Sequence, residues 1–107
     1  MYQNDLKINI PNELLEEMEI QGTIISPVFP EMGILVLSDG MFQFSKEIVI
    51  RIYRLELEAD TQSYKIYYEL VALSFSSYSD AKDFVDHLPN MSGIEMLILL
   101  NPEPKFQ

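Results

Sequence analysis

Residues 46–78 read KEIVIRIYRLELEADTQSYKIYYELVALSFSSY, and no other segment of the chain constrains its architecture as strongly. The stretch is rich in β-branched, aromatic and aliphatic residues and is interrupted once, by polar residues at positions 60–63. Two such segments around a short polar loop are typical of a β-hairpin. We therefore predict one long hairpin and interpret the remaining elements by how they pack on it.

Pairing Ala59 with Tyr64 predicts the register of this hairpin. Apolar residues then share one face of the hairpin near its base and the opposite face near its tip, so the buried face changes along the hairpin. A one-residue shift in register would distribute these apolar residues over both faces. The base set is Ile48, Ile50, Ile52, Val71, Leu73 and Phe75. The tip set is Tyr53, Leu55, Leu57, Ile66, Tyr68 and Leu70.

The length and composition indicate a single globular domain over residues 1–107. The chain has 48% hydrophobic and 22% charged residues and no cysteine, which excludes disulfides and thiolate metal sites. Its first residues lack a signal-peptide pattern, and no apolar run approaches the roughly 20 residues of a membrane helix. We expect a cytoplasmic protein without a membrane segment.

The charge balance is strongly acidic. Seventeen Asp and Glu residues face seven Lys and Arg residues, for a formal net charge of −10. Because affinity for nucleic acids depends mainly on Lys and Arg contacts to phosphates, this balance disfavours direct nucleic-acid binding. The acidity either keeps the protein in solution or attracts a basic partner, as an inhibitor or a nucleic-acid mimic does.

The first part of the chain predicts a strand, a short helix and a second strand. Apolar residues alternate with polar ones over residues 5–10, and Pro11 ends that pattern. Asn12 is placed to cap a helix over about 12–18, and residues 20–26 form the next predicted strand. In the following loop, Val28 and Phe29 either fold back on the core or contact a partner.

A second hairpin is predicted over residues 34–45, around the Asp39-Gly40 turn signal. Its expected ladder pairs Leu37 with Phe42 and Leu35 with Phe44.

The last part of the chain predicts the principal helix and a final strand. Ser79 is the expected cap of a helix over about 79–88, in which Ala81, Val85 and Leu88 lie on one side. The apolar run Ile94–Leu100 predicts an interior strand. Together the elements predict an α+β fold, with a mainly antiparallel curved sheet, a long central β-hairpin and two helices of unequal length.

No recognisable catalytic arrangement is present in the sequence. His87, the only histidine, has Asp83 four residues before it, as a general base would require, but a surface histidine stabilised by the negative end of a helix is the preferred interpretation. Glu56 and Glu58 share one side of a strand, yet the predicted register pairs Glu58 with Lys65, and Arg54 with Glu69. We predict no catalytic, cofactor-binding or metal-binding residues.

The leading functional hypothesis is a non-catalytic protein-interaction module, acting as a homo-oligomer or as a small component of a larger assembly. The alternatives are an acidic inhibitor or nucleic-acid mimic that binds a basic groove, and a small ligand-binding protein or enzyme. Tyrosines crowd the distal half of the hairpin, where they serve either an interface or internal packing. The candidate interface is the tip set, Tyr53, Leu55, Leu57, Ile66, Tyr68 and Leu70, together with Val28 and Phe29.

Overall fold

A computed structural model of the protein describes residues 7–27, 29–41 and 46–90. Within these ranges the chain forms an α+β fold, as predicted. The strands are β1 (Ile8–Asn9), β2 (Glu19–Ile25), β3 (Met32–Asp39), β4 (Ile48–Glu58) and β5 (Ser63–Phe75). The helices are α1 (Asn12–Glu17) and α2 (Tyr78–His87), and a 3-10 turn at Leu88–Asn90 follows α2.

The five strands form one sheet in the order β1-β5-β4-β3-β2. Strands β2 to β5 are antiparallel to their neighbours, whereas β1 runs parallel to β5. The predicted mainly antiparallel sheet with a long central hairpin is therefore confirmed. The hairpin of β4 and β5 is the longest pairing in the sheet.

The register of the central hairpin is as predicted at its base and different at its tip. Ile48 pairs with Phe75, and the predicted pairing continues to Ile52 and Val71. Two irregularities on β5 then shift the register, so that Leu55 pairs with Ile66 rather than with Tyr68. A β-bulge places one extra residue on one strand, and two bulges account for the two-residue difference from the predicted tip.

The helix face of the sheet carries the larger hydrophobic cluster. Residues that alternate along β3 and β4 point to this face, because successive strand side chains lie on opposite sides. They pack against the apolar side of α2, which includes the buried Ala81 and Val85, and against Leu88. The predicted cover of the hairpin base by the second helix is correct. The strand residues of this cluster are Ile24, Ile34, Val36, Ile48, Ile50 and Ile52.

The opposite face, which we call the N-terminal face, carries the second cluster. Its buried residues are Leu35, Leu37, Tyr53 and Leu55. They are covered by half-buried residues from β1, α1 and the segments beside them, namely Ile8, Ile10, Leu14 and Met18. A helix of about two turns is not stable alone in water, and this contact explains why α1 forms.

The predicted hairpin over residues 34–45 is wrong in its pairing. Leu35 pairs with Thr23 of β2 on one side and with Tyr53 of β4 on the other, so no side of it is left for Phe44. The Asp39-Gly40 signal marks the end of β3, where Gly40 has a φ of 97°. Sheet pairing with two long strands overrides the local turn preference here. The expected partners Phe42 and Phe44 lie outside the described residues.

The caps of both helices differ from the predicted ones by one or two residues. Pro11 occupies the N-cap position of α1, so Asn12 is its first helical residue. Ser77, not Ser79, caps α2, where the Ser77 Oγ accepts a hydrogen bond from the Asp80 backbone N–H at 3.3 Å. The predicted strand Ile94–Leu100 lies outside the described residues.

Candidate interaction surface on the fifth strand

Among the described strands, the outer side of β5 is the longest edge that lacks a neighbouring strand over most of its length. On its inner side, β5 pairs with β4 along nearly its whole length. On its outer side, β1 pairs only with Tyr64 and Lys65, and the Tyr64 N–H donates to the Lys7 carbonyl oxygen at 2.8 Å. From Ile66 to Phe75, no described strand pairs with this side. We call this outer side of residues 66–75 the β5 edge.

Two consecutive tyrosines of the β5 edge lie beside the same guanidinium group. Successive strand residues normally point to opposite faces, but the register shift between Arg54 and Leu55 leaves Tyr67 as the extra residue of a bulge. The Arg54 Cζ therefore lies 5.4 Å from the Tyr67 ring centroid and 5.8 Å from that of Tyr68. Both rings are within cation–π range of one cation.

The tyrosine pair presents a broad aromatic surface to solvent. The ring centroids of Tyr67 and Tyr68 are 5.1 Å apart, with the planes tilted by 43°. Tyr67 is 55% exposed and Tyr68 is 41% exposed. Large exposed aromatic rings are frequent anchors of protein interfaces, because they bury much area with few rotatable bonds.

The positive charges near the hairpin tip are neutralised by neighbouring carboxylates. The Arg54 Nη2 lies 3.0 Å from the Glu56 Oε2. The Lys65 Nζ lies 3.4 Å from the Glu58 Oε2, which confirms the predicted Glu58 and Lys65 ion pair despite the shifted register. Glu69, the predicted partner of Arg54, forms its ion pair with Arg51 instead. Glu56 and Glu58 are therefore both engaged in ion pairs.

Glu69 connects the β5 edge to the second core cluster. It accepts a hydrogen bond from the Arg51 Nη1 at 3.0 Å. Burial, and then the negative charge of Glu69, raise the pKa of Tyr53 above its ordinary value. The charge of Glu69 on the sheet surface therefore acts on Tyr53, a residue of the second cluster.

The residues of the predicted interface are divided among several environments. Tyr53 and Leu55 are buried in the second cluster, with 8% and 0% of their surfaces exposed, and Ile66 packs against them. Leu57 is half-buried, and Leu70 packs on the helix face instead. Tyr68 is exposed on the β5 edge. The structure therefore does not bring the tip set together as one surface.

Phe29 lies in a loop that is held by several hydrogen bonds. The Phe29 backbone N–H donates to the Ser26 Oγ at 3.1 Å, and the Tyr64 hydroxyl donates to the Pro30 carbonyl oxygen at 2.8 Å. Phe29 itself is 45% exposed. Its predicted companion, Val28, lies outside the described residues. Contact of Phe29 with a partner stays a prediction.

Tyr67 is the residue of this surface that the predicted register misplaced. An uninterrupted ladder puts it opposite Glu56, on the polar side of the tip, and therefore outside the predicted interface. The doublet Tyr67-Tyr68 is visible in the sequence, but nothing there indicates a bulge between its two members. A doublet of large aromatic residues in a long strand is the one sequence signal that could have suggested it.

Clusters of metal-ligating side chains and membrane-spanning helices are both absent among the described residues. No group of three or more His, Asp or Glu side chains in these ranges could hold a metal ion. His87 is exposed in the last turn of α2. None of the described helices is long and apolar enough to cross a membrane.

Comparisons with known proteins do not assign the chain to a family. No protein-family model matches it, and neither the curated proteins nor the solved structures contain a significant match.

Proposed function

We propose that this protein is a non-catalytic protein-interaction module that acts as a homo-oligomer or as a small component of a larger assembly. The observation that carries the proposal is the β5 edge. Its backbone has no described strand partner from Ile66 to Phe75, and it bears the exposed pair Tyr67 and Tyr68. An extended strand edge with large apolar residues is suited to pair with another chain.

The mode of interaction that this edge favours is the addition of a strand. Backbone hydrogen bonds from the incoming segment supply affinity, and alternate side chains supply specificity on the two faces. Proteins commonly protect exposed edges with charged residues or prolines. The β5 edge has only Glu69 as a charged residue between Ile66 and Phe75, and that carboxylate is held by Arg51. The edge is therefore weakly protected against pairing.

The proposal is tested by the mass of the full-length protein, both purified and in an extract of its native host. Size-exclusion chromatography with light scattering on the purified protein, and immunodetection of the untagged chain in the extract, give the two masses. We expect a mass above that of the monomer in at least one of them. Ala72→Lys should return it to the monomer mass, because a lysine on an edge strand opposes strand addition.

A matched control separates the edge from general surface effects. Leu15 lies on α1, the helix that packs on the N-terminal face, and is 44% exposed. Leu15→Lys makes the same change of charge as Ala72→Lys and should leave the mass unchanged. A wild-type chain at the monomer mass in both measurements would contradict the proposal, as would equal effects of the two variants.

The second candidate function, an acidic protein that occupies a basic groove, is favoured by the pairing of the cations. Arg51, Arg54, Lys65 and Lys82 each lie within 4.0 Å of a carboxylate. Most of the positive groups among the described residues are therefore held in ion pairs, and the chain as a whole has a net charge of −10. Binding of this kind should weaken steeply as salt rises, because exposed charges are screened. Salt-independent binding would contradict it.

A further inference from the structure

The β5 edge combines two features that select the same kind of partner. Its backbone can pair with an extended segment, and the Tyr67 and Tyr68 rings offer π faces on the helix face of the sheet. Arg54 lies within cation–π range of both rings, which shows that the pair can accommodate a guanidinium group. A second cation against the solvent side of the exposed rings would interact in the same way.

The charge of the chain argues against a second copy as the occupant of this edge. Each copy carries a net charge of −10 as a whole, so two copies repel each other on approach. The cations beside the edge are already matched, Arg51 by Glu69, Arg54 by Glu56 and Lys65 by Glu58. A second copy therefore offers few available cations for the tyrosine pair, whereas a basic segment offers many. Electrostatic complementarity also speeds encounter and suppresses unsuitable partners.

We infer that the β5 edge binds an extended, basic segment of another protein as an added strand, with an arginine or lysine side chain over Tyr67 and Tyr68. The inference rests on the proposed interaction function and narrows it from self-association to assembly with a basic partner. Backbone pairing from Ile66 to Phe75 supplies the affinity, and the aromatic pair together with the net negative charge of the whole chain selects the partner.

Two synthetic peptides of about ten residues test the inference, a length that matches the edge at about 3.3 Å per residue. One alternates valine with arginine and the other valine with glutamate, with both termini blocked. The readout is residue-resolved amide hydrogen exchange of the full-length protein, with affinity measured by calorimetry. We expect the arginine peptide to protect amides between Ile66 and Phe75, and the glutamate peptide to protect none of them.

Variants of the exposed edge residues sharpen the test without altering the core. Ala72→Lys should lower the affinity for the arginine peptide by about tenfold. Ala72→Glu should raise that affinity, since its charge is complementary to the peptide. The double variant Tyr67→Ser and Tyr68→Ser should lower the affinity for the arginine peptide by about tenfold, because the cation–π contacts are lost. Leu15→Lys is the control for net charge and should change the affinity less than Ala72→Lys.

The contrary outcomes separate this inference from the proposed function. Equal protection by both peptides overturns the basic partner but leaves an interaction edge. Protection that rises with protein concentration, without peptide, identifies a second copy and overturns only the inference. Protection of the free protein that does not depend on concentration shows that the chain itself covers the edge, and both then fail. An arginine peptide that protects no edge amide overturns the inference alone.

Discussion

The base and the tip of the central hairpin have the same strand geometry but differ in which residues share a face. At the base, Ile48 to Ile52 pair with Val71 to Phe75 in one uninterrupted register, and their alternate residues lie under α2. Towards the tip, two bulges on β5 change which residues share a face. Each bulge places two consecutive residues on the same side, Leu70 with Val71 in the core and Tyr67 with Tyr68 at the surface.

The difference shows where packing, rather than alternation, decides the orientation of a strand residue. Leu70 and Val71 both pack against the helix-face cluster, which strict alternation does not allow. The bulge between Ile52 and Tyr53 permits both contacts. The second bulge leaves the tyrosine pair exposed, so the tip carries the candidate interaction surface while the base carries most of the core.

The largest expected effect comes from breaking the base. Ile50 is fully buried among β-strand and α2 side chains. Ile50→Ala should lower the free energy of unfolding by about 2–5 kcal/mol, because it removes apolar contacts and leaves a cavity. Urea unfolding followed by circular dichroism measures the change. Leu15→Ala, at a residue that is 44% exposed, is the control, and an equal loss in the two variants would contradict the assignment of the core.

A smaller loss should follow from separating the strands beside the tip. A Cβ on Gly33 would lie 2.7 Å from the Ile24 carbonyl oxygen and 2.7 Å from the Ile25 Cδ1. Gly33→Ala should therefore lower the free energy of unfolding by about 1–3 kcal/mol, the usual effect of overpacking.

Ile25→Val, which removes the Cδ1 atom, supplies the control for Gly33→Ala. The double variant should recover part of the loss and no more, because the contact with the Ile24 backbone persists. Complete recovery would show that the strand spacing at Gly33 is set by the Ile25 side chain alone.

The helix over the base provides a finer test through its cap. Ser77→Ala should lower the free energy of unfolding by about 1 kcal/mol, since it leaves the Asp80 N–H without its side-chain acceptor. Ser79→Ala, at an exposed position within α2, should have little effect or a slightly stabilising one. Thermal unfolding of both variants compares the two serines, and the reverse order would restore Ser79 as the cap.

The smallest expected effect at neutral pH concerns Tyr53, where the two halves of the hairpin meet. Tyr53→Phe should lower the free energy of unfolding by about 0.5–1 kcal/mol, the size of a single polar interaction, because the hydroxyl group no longer interacts with Glu69. The pKa of Tyr53 is raised by burial and by Glu69. The folded state therefore holds the phenolic proton more tightly than the unfolded state does.

This contribution has a defined dependence on pH. It is fully present below the ordinary tyrosine pKa of 10.0 and is lost as pH rises through the higher folded value. The difference between wild type and Tyr53→Phe in urea unfolding should therefore shrink as pH rises above 10.0. An unchanged difference for Tyr53 would contradict the influence of burial and of Glu69 on this phenol.

Patterns of local origin were predictable from the sequence. The central hairpin, its base register and the helix that covers it follow from residues whose apolar spacing is regular, such as Ile48, Ile50 and Ile52. The helix near residues 78–88 follows from the spacing of Ala81, Val85 and Leu88. These elements depend on neighbours that are close in the chain, or on a ladder that one short loop aligns.

Features that depend on distant contacts were not predictable. Leu35 and Leu37 are compatible with a local hairpin, and only the presence of β2 and β4 on either side decides against it. The tip set likewise shares a face in an ideal ladder, but a bulge places Leu70 against the helix-face core instead. No pattern in the sequence indicates that bulge.

The sequence by itself determined an acidic α+β protein built on a long hairpin whose base lies under a helix. The tertiary structure alone decided that Tyr53 and Leu55 are covered by β1, α1 and their flanking residues rather than exposed. It also decided that Tyr67 joins Tyr68 on the β5 edge. The physical reason is the same in each case, since strand register and burial are set by the packing of segments far apart in the chain.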